Sequence, residues 1–271
     1  MKDAECVRLL QWALPRLGLR WSGYRRVRGQ VCKRLGRRLR ELGLDPESYR
    51  RYLDTHPQEW RRLDGFCRIS ISRFCRDRGV FDTLAHTVLP ELGRRAAARG
   101  DALRAWSLGC ASGEEPYSLL LAWYFGGPSR PQGRIEIIAT DSDARLIGRA
   151  RRACYRASSL KELPVPWRSR AFERKDDRYC LRREFVRQVS LFQQDVRETL
   201  PPGRFDLILC RNSVFTYFEL PEQERVLARL AGKLAPGGVL VIGTHESLPP
   251  QAAGLRPLSP TGPFYQRALR P

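Results

Sequence analysis

The residues best placed to do chemistry follow a short apolar run that ends at Leu108. A turn of small residues, 109–113, leads directly into Glu114 and Glu115 at the start of a predicted amphipathic helix. In open α/β sheets, a strand, a tight glycine turn and a helix N-terminus form the crevice where nucleotide-like ligands bind. Two carboxylates in the first helical turn would repel a pyrophosphate. The stretch therefore predicts a ligand that is neutral or cationic there, and S-adenosylmethionine, which has no phosphate, has these properties.

An ordinary helix N-terminus is the alternative for the same two carboxylates, because acidic residues interact favourably with the helix dipole there. A second acidic position supports the ligand interpretation. Asp141 ends the second predicted strand, residues 134–141, where a carboxylate is well placed to accept both hydroxyls of a ribose. Asp143 is expected to cap the helix that follows, and a capping role is also the alternative for Asp141.

The elements that must position these residues form a helical segment and a longer α/β segment. Residues 1–92 are predicted to be helical, with one helix at 23–42 whose apolar stripe lies beneath an arginine-rich surface. Asp45 is expected to cap the next helix. A breaker is predicted at residues 93–101, so the expected domains are 1–92, with the linker, and 93–271. A hairpin is predicted after Phe172, and a closing antiparallel strand after Phe264.

Composition bounds the class of protein. The chain has 271 residues, of which 42% are hydrophobic and 29% charged, as in soluble globular proteins. No apolar run approaches the ~18–20 residues that span a bilayer, and no signal peptide is evident, so we expect a cytoplasmic protein without membrane insertion. The eight cysteines include no C-x-x-C pair. They are expected to be small buried hydrophobes rather than disulfides or zinc ligands.

The net charge of +20 raises the question of an acidic partner. An acidic protein substrate is one explanation, and nucleic acid is another. Arginine supplies most of the charge, which a GC-rich genome would produce without selection for binding. The composition alone leaves these three explanations open.

Four segments in order along the chain carry a resemblance to a known family. They are RISISRFCRD at residues 68–77, GEEPYS at 113–118, CRN at 210–212 and PGG, expected as a turn, at 236–238. These segments resemble the CheR-type chemoreceptor glutamate methyltransferases. The resemblance implies an α/β fold, a Rossmann-like methyltransferase sheet that binds S-adenosylmethionine. It also implies a small all-helical N-terminal domain and an inserted β-hairpin subdomain at about residues 168–190.

The same resemblance implies a set of site residues. Arg76 and Tyr217 would be catalytic: Arg76 would lie beside the methyl donor and the substrate carboxylate, and Tyr217 would approach the methyl group. One residue more separates Tyr217 from Asn212 than in the family pattern. The residues implied in cofactor binding are Ser70, Ser72, Arg76, Gly109, Glu115, Asp141, Asp195, Val196, Arg211 and Asn212. No metal is implied, and His245 and Glu246 are expected to be structural or to line the pocket.

The function implied by the resemblance is formation of methyl esters on glutamate side chains of chemoreceptors, with S-adenosylhomocysteine as product. The expected partner is an acidic helical substrate, the cytoplasmic region of a chemoreceptor. The turn at residues 175–178 lacks the longer glycine-containing loop of family members that dock a receptor tethering peptide, so no tethering is expected. Two alternatives stay open: a methyltransferase acting on another protein, a small molecule or RNA, and a non-catalytic nucleoside-binding regulator.

Overall fold

The computed structural model describes residues 1–127, 133–250, 254–260 and 262–268. The chain forms two compact units, one of Met1–Ile69 with Ser213–Gln223 and the other of Ser70–Asn212 with Glu224–Pro271. The sequence places the domain division after residue 92. Apolar side chains between residues 74 and 96 are buried in the core of the second unit, which is why the compact boundary falls at Ile69.

Helices occur in both units and follow one another along the chain. The first are α1 (Asp3–Ala13), a 3-10 turn (Pro15–Leu17), α2 (Trp21–Tyr24), α3 (Arg28–Leu42), α4 (Pro46–Thr55) and α5 (Pro57–Cys67). Next are α6 (Arg78–Thr83), a π-helical turn (Leu84–Val88), α7 (Leu89–Ala98), α8 (Glu114–Phe125), α9 (Ala144–Arg152) and a 3-10 turn (Ala157–Leu160). The last are α10 (Val165–Ala171), α11 (Arg183–Val186), α12 (Val214–Tyr217) and α13 (Leu220–Lys233). None of these described helices is long and apolar enough to cross a bilayer.

The first unit packs its helices around an apolar core. The stripe predicted on α3 is present, because Val31, Leu35 and Leu39 are buried in the core to which α1 and α5 also contribute. The predicted cap of α4 is also confirmed, since the Asp45 carboxylate accepts hydrogen bonds from the backbone N–H groups of Glu47 and Ser48, both at 2.9 Å. These local signals are sufficient to place α4 and the buried face of α3.

The single helix predicted at residues 23–42 is wrong, because the chain turns between α2 and α3. Gly23 lies so close to the segment before α13 that a Cβ there would be 2.2 Å from the carbonyl oxygen of Thr216. Arg20 also donates to the backbone carbonyls of Thr216 and Phe215. This tight packing within the first unit fixes α2 separately from α3, which the apolar periodicity does not reveal.

The second unit contains a seven-stranded sheet that confirms the predicted α/β fold. The strands of the chain are β1 (Leu103–Leu108), β2 (Ile135–Asp141), β3 (Cys154–Arg156), β4 (Phe172–Lys175), β5 (Arg178–Leu181), β6 (Val189–Gln193), β7 (Phe205–Cys210), β8 (Leu234–Ile242), β9 (Leu255–Pro257) and β10 (Phe264–Arg267). The large sheet has the order β6-β2-β1-β7-β8-β10-β9. Its first five strands are parallel, and β10 is antiparallel to both neighbours, as predicted for the closing strand.

A separate three-stranded antiparallel sheet has the order β3-β5-β4. The predicted hairpin is present as β4 and β5, joined by Asp176 and Asp177. The sequence missed β3, so the small sheet begins at Cys154 rather than near residue 168. A three-residue strand is too short to show the alternation that identifies a half-buried strand.

The expectation about the cysteines is wrong for four of the eight. Disulfides join Cys6 to Cys32 and Cys154 to Cys180, in each case across 26 residues of sequence. Packing of α1 on α3 brings the first pair together, and pairing of β3 with β5 brings the second. Neither long-range contact is visible in the cysteine spacing. The other cysteines, Cys67, Cys75, Cys110 and Cys210, are buried as expected and form no disulfide within the described residues.

Two predicted interruptions of secondary structure differ from the structure. The breaker predicted at residues 93–101 begins only after Ala98, because Gly93 is buried within α7, and residues 99–102 then separate α7 from β1. The predicted PGG turn is wrong. The PGG segment lies inside β8, where the register with β7 shifts between Phe205 and Leu207. A Cβ on Gly238 would lie 3.1 Å from the Phe205 carbonyl oxygen. At Gly238 the glycine permits close packing rather than a turn.

Candidate functional site

The candidate site lies at the carboxyl edge of the parallel strands. β1 pairs with β2 on one side and with β7 on the other, so the strand order reverses between β1 and β7. Gly109 follows β1, Asp141 ends β2, and Arg211 and Asn212 follow β7. The topology therefore brings these sequence-predicted residues to one edge, at the switch point where α/β sheets bind ligands.

Hydrogen bonds hold the turn after β1 against the end of β2. The N–H groups of Gly109 and Cys110 both donate to the Thr140 carbonyl, at 2.8 and 3.0 Å. Gly109 and Gly113 have φ values of +70° and +92°, and Ala111 has +49°. A Cβ on Gly113 would lie 2.8 Å from the Tyr117 ring. The small residues of this turn are thus required for its left-handed backbone and its close packing.

Asp141 connects the two loops at this edge. Its Oδ2 accepts from the Ala111 N–H and its Oδ1 from the Asp143 N–H, each at 2.9 Å. Asp143 itself accepts from the Arg145 N–H, which confirms it as the cap of α9. Asp141 therefore holds the turn after β1 and the start of the loop after β2, and its ribose role stays a prediction.

Glu114 and Glu115 begin α8 and differ in their surroundings. Burial raises the pKa of Glu114, which is only 2% exposed, although hydrogen bonds to the carboxylate oppose the rise. Burial also raises the pKa of Glu115, and the Arg211 charge and a hydrogen bond from Ser107 oppose it. The Ser107 hydroxyl donates to Glu115 at 2.8 Å. These carboxylates make the helix N-terminus unfavourable for a phosphate.

The buried side chain of Arg211 links three segments of the chain. We call its contacts with Glu115, the Arg76 carbonyl and Asp77 the Arg211 bracket. Its side chain is 1% exposed, and its Nη1 donates to Glu115 at 3.2 Å. Its Nη2 donates to the Arg76 carbonyl at 2.8 Å and to the Asp77 carboxylate at 2.7 Å. The guanidinium carbon lies 5.3 Å from the centre of the Phe81 ring. The Arg211 side chain thus ties the end of β7 to α8 and to the backbone that carries Arg76.

The turn that carries Arg76 has a strained backbone. Cys75 and Asp77, the two residues that flank it, have φ values of +50° and +61°, a region that costs of the order of 1–3 kcal/mol for residues other than glycine. The Cys75 N–H donates to Ser118 at 2.8 Å. Burial raises the pKa of the Cys75 thiol to about 12, so this thiol is no nucleophile at neutral pH. The partly exposed Arg76 side chain donates to the Ile71 carbonyl at 3.2 Å.

Asn212 and Asp195 occupy the same edge with different partners. Asn212 has a φ of +53°, and its N–H donates to Glu246 at 2.9 Å. The Gln194 N–H donates to the Asp141 carbonyl at 2.9 Å, which places the segment after β6 beside Asp141. Asp195 itself pairs with Arg197 at 2.7 Å. The carbonyl of the next residue, Val196, accepts a hydrogen bond from Arg229 at 2.7 Å.

The remaining sequence-predicted residues are Tyr217, Ser70 and Ser72. Tyr217 ends α12 in the first unit, where its ring centre lies 5.0 Å from that of Tyr24. Ser70 and Ser72 are partly buried residues in the segment before the Arg76 turn. The Ser72 side chain hydrogen-bonds to the Glu114 carboxylate and helps to lower its pKa. The site roles of all three residues stay predictions.

The residues present fit S-adenosylmethionine. Asp141 places a carboxylate at the end of β2, where such a group suits ribose hydroxyls, and Glu115 suits a cationic group. The Gln194 Oε1 is buried and has no hydrogen-bond partner among the described residues. Because buried acceptors normally have a donor, this atom suits a ligand donor such as an adenine amino group. Within the described part of the chain, no group of three or more His, Cys, Asp or Glu side chains could hold a metal ion.

Sequence reasoning missed several residues that organise the site. Asp77 pairs with Arg211, Ser118 holds the Cys75 backbone, and Gln194 presents an acceptor with no partner in the described part of the chain. Glu246, expected only as structural or pocket-lining, joins the end of β7 to the loop after β8. The charged pair of Arg211 and Asp77 is 134 residues apart in sequence, so no local pattern signals it.

Comparisons with known proteins identify the family of the chain. A family model described as the SAM-binding domain of CheR methyltransferase matches residues 70–261. The chemotaxis protein methyltransferase of Salmonella typhimurium is 31% identical over 258 residues, covering 91% of this chain and 85% of that protein. Chemotaxis protein methyltransferase 2 of Pseudomonas aeruginosa is 32% identical over 229 residues, covering 80% and 78%.

Solved structures give a weaker likeness. The magnesium protoporphyrin IX methyltransferase of Synechocystis PCC 6803, solved with bound SAM, is 15% identical, with a TM-score of 0.35 over 70% of this chain and 77% of that one. That score is too low to carry an argument about function. The family match covers most of the chain, including the whole bracket around Arg211, and the chain therefore belongs to the CheR methyltransferase family.

Proposed function

We propose that this protein transfers the methyl group of S-adenosylmethionine to glutamate side chains in the cytoplasmic region of chemoreceptors, forming methyl esters. One observation carries the proposal: the Arg211 bracket holds the Arg76 backbone and Glu115 together within residues 70–261, the span that matches the CheR model. The Arg76 guanidinium would then lie beside a nucleoside site lined by carboxylates. Such an arrangement is suited to the transfer of a methyl group from a sulfonium to an anionic acceptor.

The cofactor site is proposed from the edge residues. Bound S-adenosylmethionine supplies a methyl group activated by the sulfonium charge. Asp141 would hold the ribose hydroxyls, and Gln194 would accept from the adenine. Glu115 would face the cationic part of the ligand. We assign supporting contacts to Ser70, Ser72, Gly109, Asp195, Val196, Arg211 and Asn212.

Arg76 is proposed to orient the substrate carboxylate. A guanidinium can hold both carboxylate oxygens in a fixed fork. A glutamate side chain with a reference pKa of about 4.3 is already ionised at neutral pH, so the reaction needs no general base. Alignment of the reacting atoms within about 3–3.5 Å can supply several kcal/mol of the barrier. Tyr217 is proposed to approach the transferred methyl group.

The proposed substrate is an acidic receptor helix. Arg25, Arg26, Lys33 and Arg40 are exposed on and before α3 in the first unit, and such a surface raises the rate of encounter with an acidic partner. The two-residue turn between β4 and β5 offers no long loop for a tethering peptide, so we propose recruitment without tethering. Because the proposed substrate is the cytoplasmic region of a chemoreceptor, the cytoplasm is the proposed location of this protein.

Transfer of a labelled methyl group tests the proposal. The protein is incubated with labelled S-adenosylmethionine and, separately, with host membranes, soluble extract and RNA, and each product is then treated with mild alkali. Label on a membrane protein that is released as methanol supports a carboxyl ester. Alkali-stable label, or label on RNA, contradicts the glutamate assignment. Absence of label despite measured cofactor binding contradicts catalysis and favours a regulator.

A further inference from the structure

The Cys154–Cys180 disulfide lies in the wall of a surface cleft. Cys154 of β3 is paired directly opposite Cys180 of β5. Both cysteines line a cleft of about 300 Å³. Cys154 also lines an adjoining cleft of about 910 Å³, and it is the more exposed of the two residues. The disulfide is therefore open to a small reagent from the side of Cys154.

The surroundings of this disulfide are strongly cationic. Its own cleft is lined by the basic residues Arg151, Arg152, Lys175, Arg182 and Arg183 and by the acidic residues Glu173 and Glu184. The adjoining cleft is lined by six arginines and, among the described residues, by no carboxylate. A cleft with one sign of charge concentrates ions of the opposite sign and accelerates their arrival. Anionic reagents are thus favoured over neutral ones at Cys154.

We propose that Cys154–Cys180 is a thiol-exchange site for a small thiol that carries carboxylates, of the glutathione class. The incoming thiolate attacks Sγ of Cys154 and forms a mixed disulfide there. The Cys154–Cys180 bond breaks, and its electron pair leaves on Sγ of Cys180. The proton lost by the incoming thiol goes to water, and positive charge stabilises the departing thiolate. This site is independent of the proposed methyl transfer.

The Cys6–Cys32 disulfide provides an internal comparison within the same chain. Cys6 is fully buried in the apolar core of the first unit, and Cys32 packs against that core. Access controls thiol exchange as much as thiol chemistry does. The geometry therefore assigns faster exchange to Cys154–Cys180 than to Cys6–Cys32.

The test uses the full chain in its oxidised form. It is incubated with glutathione or with uncharged 2-mercaptoethanol, quenched with an alkylating reagent, and mapped by peptide mass spectrometry. We expect the mixed disulfide on Cys154 before any change at Cys6. Substitution of Arg152→Gln together with Arg183→Gln, which both line both clefts, should slow glutathione about tenfold and 2-mercaptoethanol far less.

The matched control replaces two exposed arginines elsewhere, Arg61→Gln with Arg204→Gln, and should leave both rates unchanged. Added salt should slow glutathione selectively, because it screens the attraction. Equal slowing of both thiols by the cleft variant would overturn the charge argument. Earlier reaction at Cys6, or an oxidised chain without the Cys154–Cys180 pair, would overturn the site itself.

Discussion

The substitution Arg211→Lys should reduce methyl transfer much more than cofactor binding. In the structure one guanidinium serves the Arg76 carbonyl, the Asp77 carboxylate and Glu115 through two nitrogens. A lysine ammonium is a single point on a flexible stem and cannot reproduce this planar fork. We expect it to keep one of the carboxylate contacts and to release the Arg76 backbone.

The magnitude follows from these contacts. Hydrogen bonds to charged groups contribute about 1.5–3 kcal/mol each, so the loss of one or two should lower the free energy of unfolding by about 1.5–6 kcal/mol. A 1 Å displacement of a positioning group can cost about 100-fold in rate. We therefore expect kcat to fall about 100-fold. The affinity for S-adenosylhomocysteine should fall less than about tenfold, or ~1.4 kcal/mol, because Asp141 and Gln194 keep their positions.

Three measurements separate a positioning role from a structural one. Urea unfolding reports stability, calorimetry reports S-adenosylhomocysteine binding, and initial rates with receptor membranes report kcat and KM. Arg187→Lys, an exchange at an exposed arginine, serves as the control. A folded Arg211→Lys protein with kcat within about twofold of wild type would refute the positioning role of Arg211. Equal losses in kcat and in cofactor affinity would show that Arg211 acts mainly through its proposed cofactor contact and not through the Arg76 backbone.

Further predictions concern the cofactor site, a buried carboxyl and the basic helix. Asp141→Ala should weaken S-adenosylhomocysteine binding in calorimetry, whereas Arg76→Ala should bind normally and lose turnover; normal binding by the Asp141 variant would contradict the ribose assignment. Glu114→Gln should raise the melting temperature more at pH 8 than at pH 5. Burial raises the pKa of Glu114, so the folded state loses stability as pH rises through that pKa; an equal effect at both pH values would contradict this. Lys33→Glu with Arg40→Glu should lower kcat/KM for receptor membranes at low salt and much less at high salt; a salt-independent loss would exclude electrostatic recruitment.

The sequence predicted the parts of the site that depend on local chemistry. The turn after β1 and the cap at Asp143 follow from residue types within a few positions of one another, and both are observed. The resemblance of residues 68–77 identified the Arg76 segment, although not its geometry. Nothing within that segment shows that Cys75 and Asp77 adopt positive φ values, because non-glycine residues do so only when tertiary contacts impose it.

The parts that could not be predicted depend on contacts between distant segments. The pairing of Cys154 with Cys180 requires β3, which is too short to recognise from its own residues. The position of Gly93 inside α7 reflects a buried helix face rather than the intrinsic tendency of glycine to end helices. In each case the local preference is weaker than the packing that overrides it.

The strained turn around Arg76 and the buried Arg211 act together to position one side chain. Two residues with positive φ on either side of Arg76 store strain that the fold must offset. The offsetting contacts come from three directions: Arg211 holds the Arg76 carbonyl, Ser118 holds the Cys75 N–H, and the Phe74 N–H donates to the Ser159 carbonyl at 2.9 Å. A reaction that needs no general base depends on alignment for its rate. Burying this much hydrogen bonding around one partly exposed guanidinium fixes the backbone that carries it, as the proposed role of Arg76 in orienting a carboxylate requires.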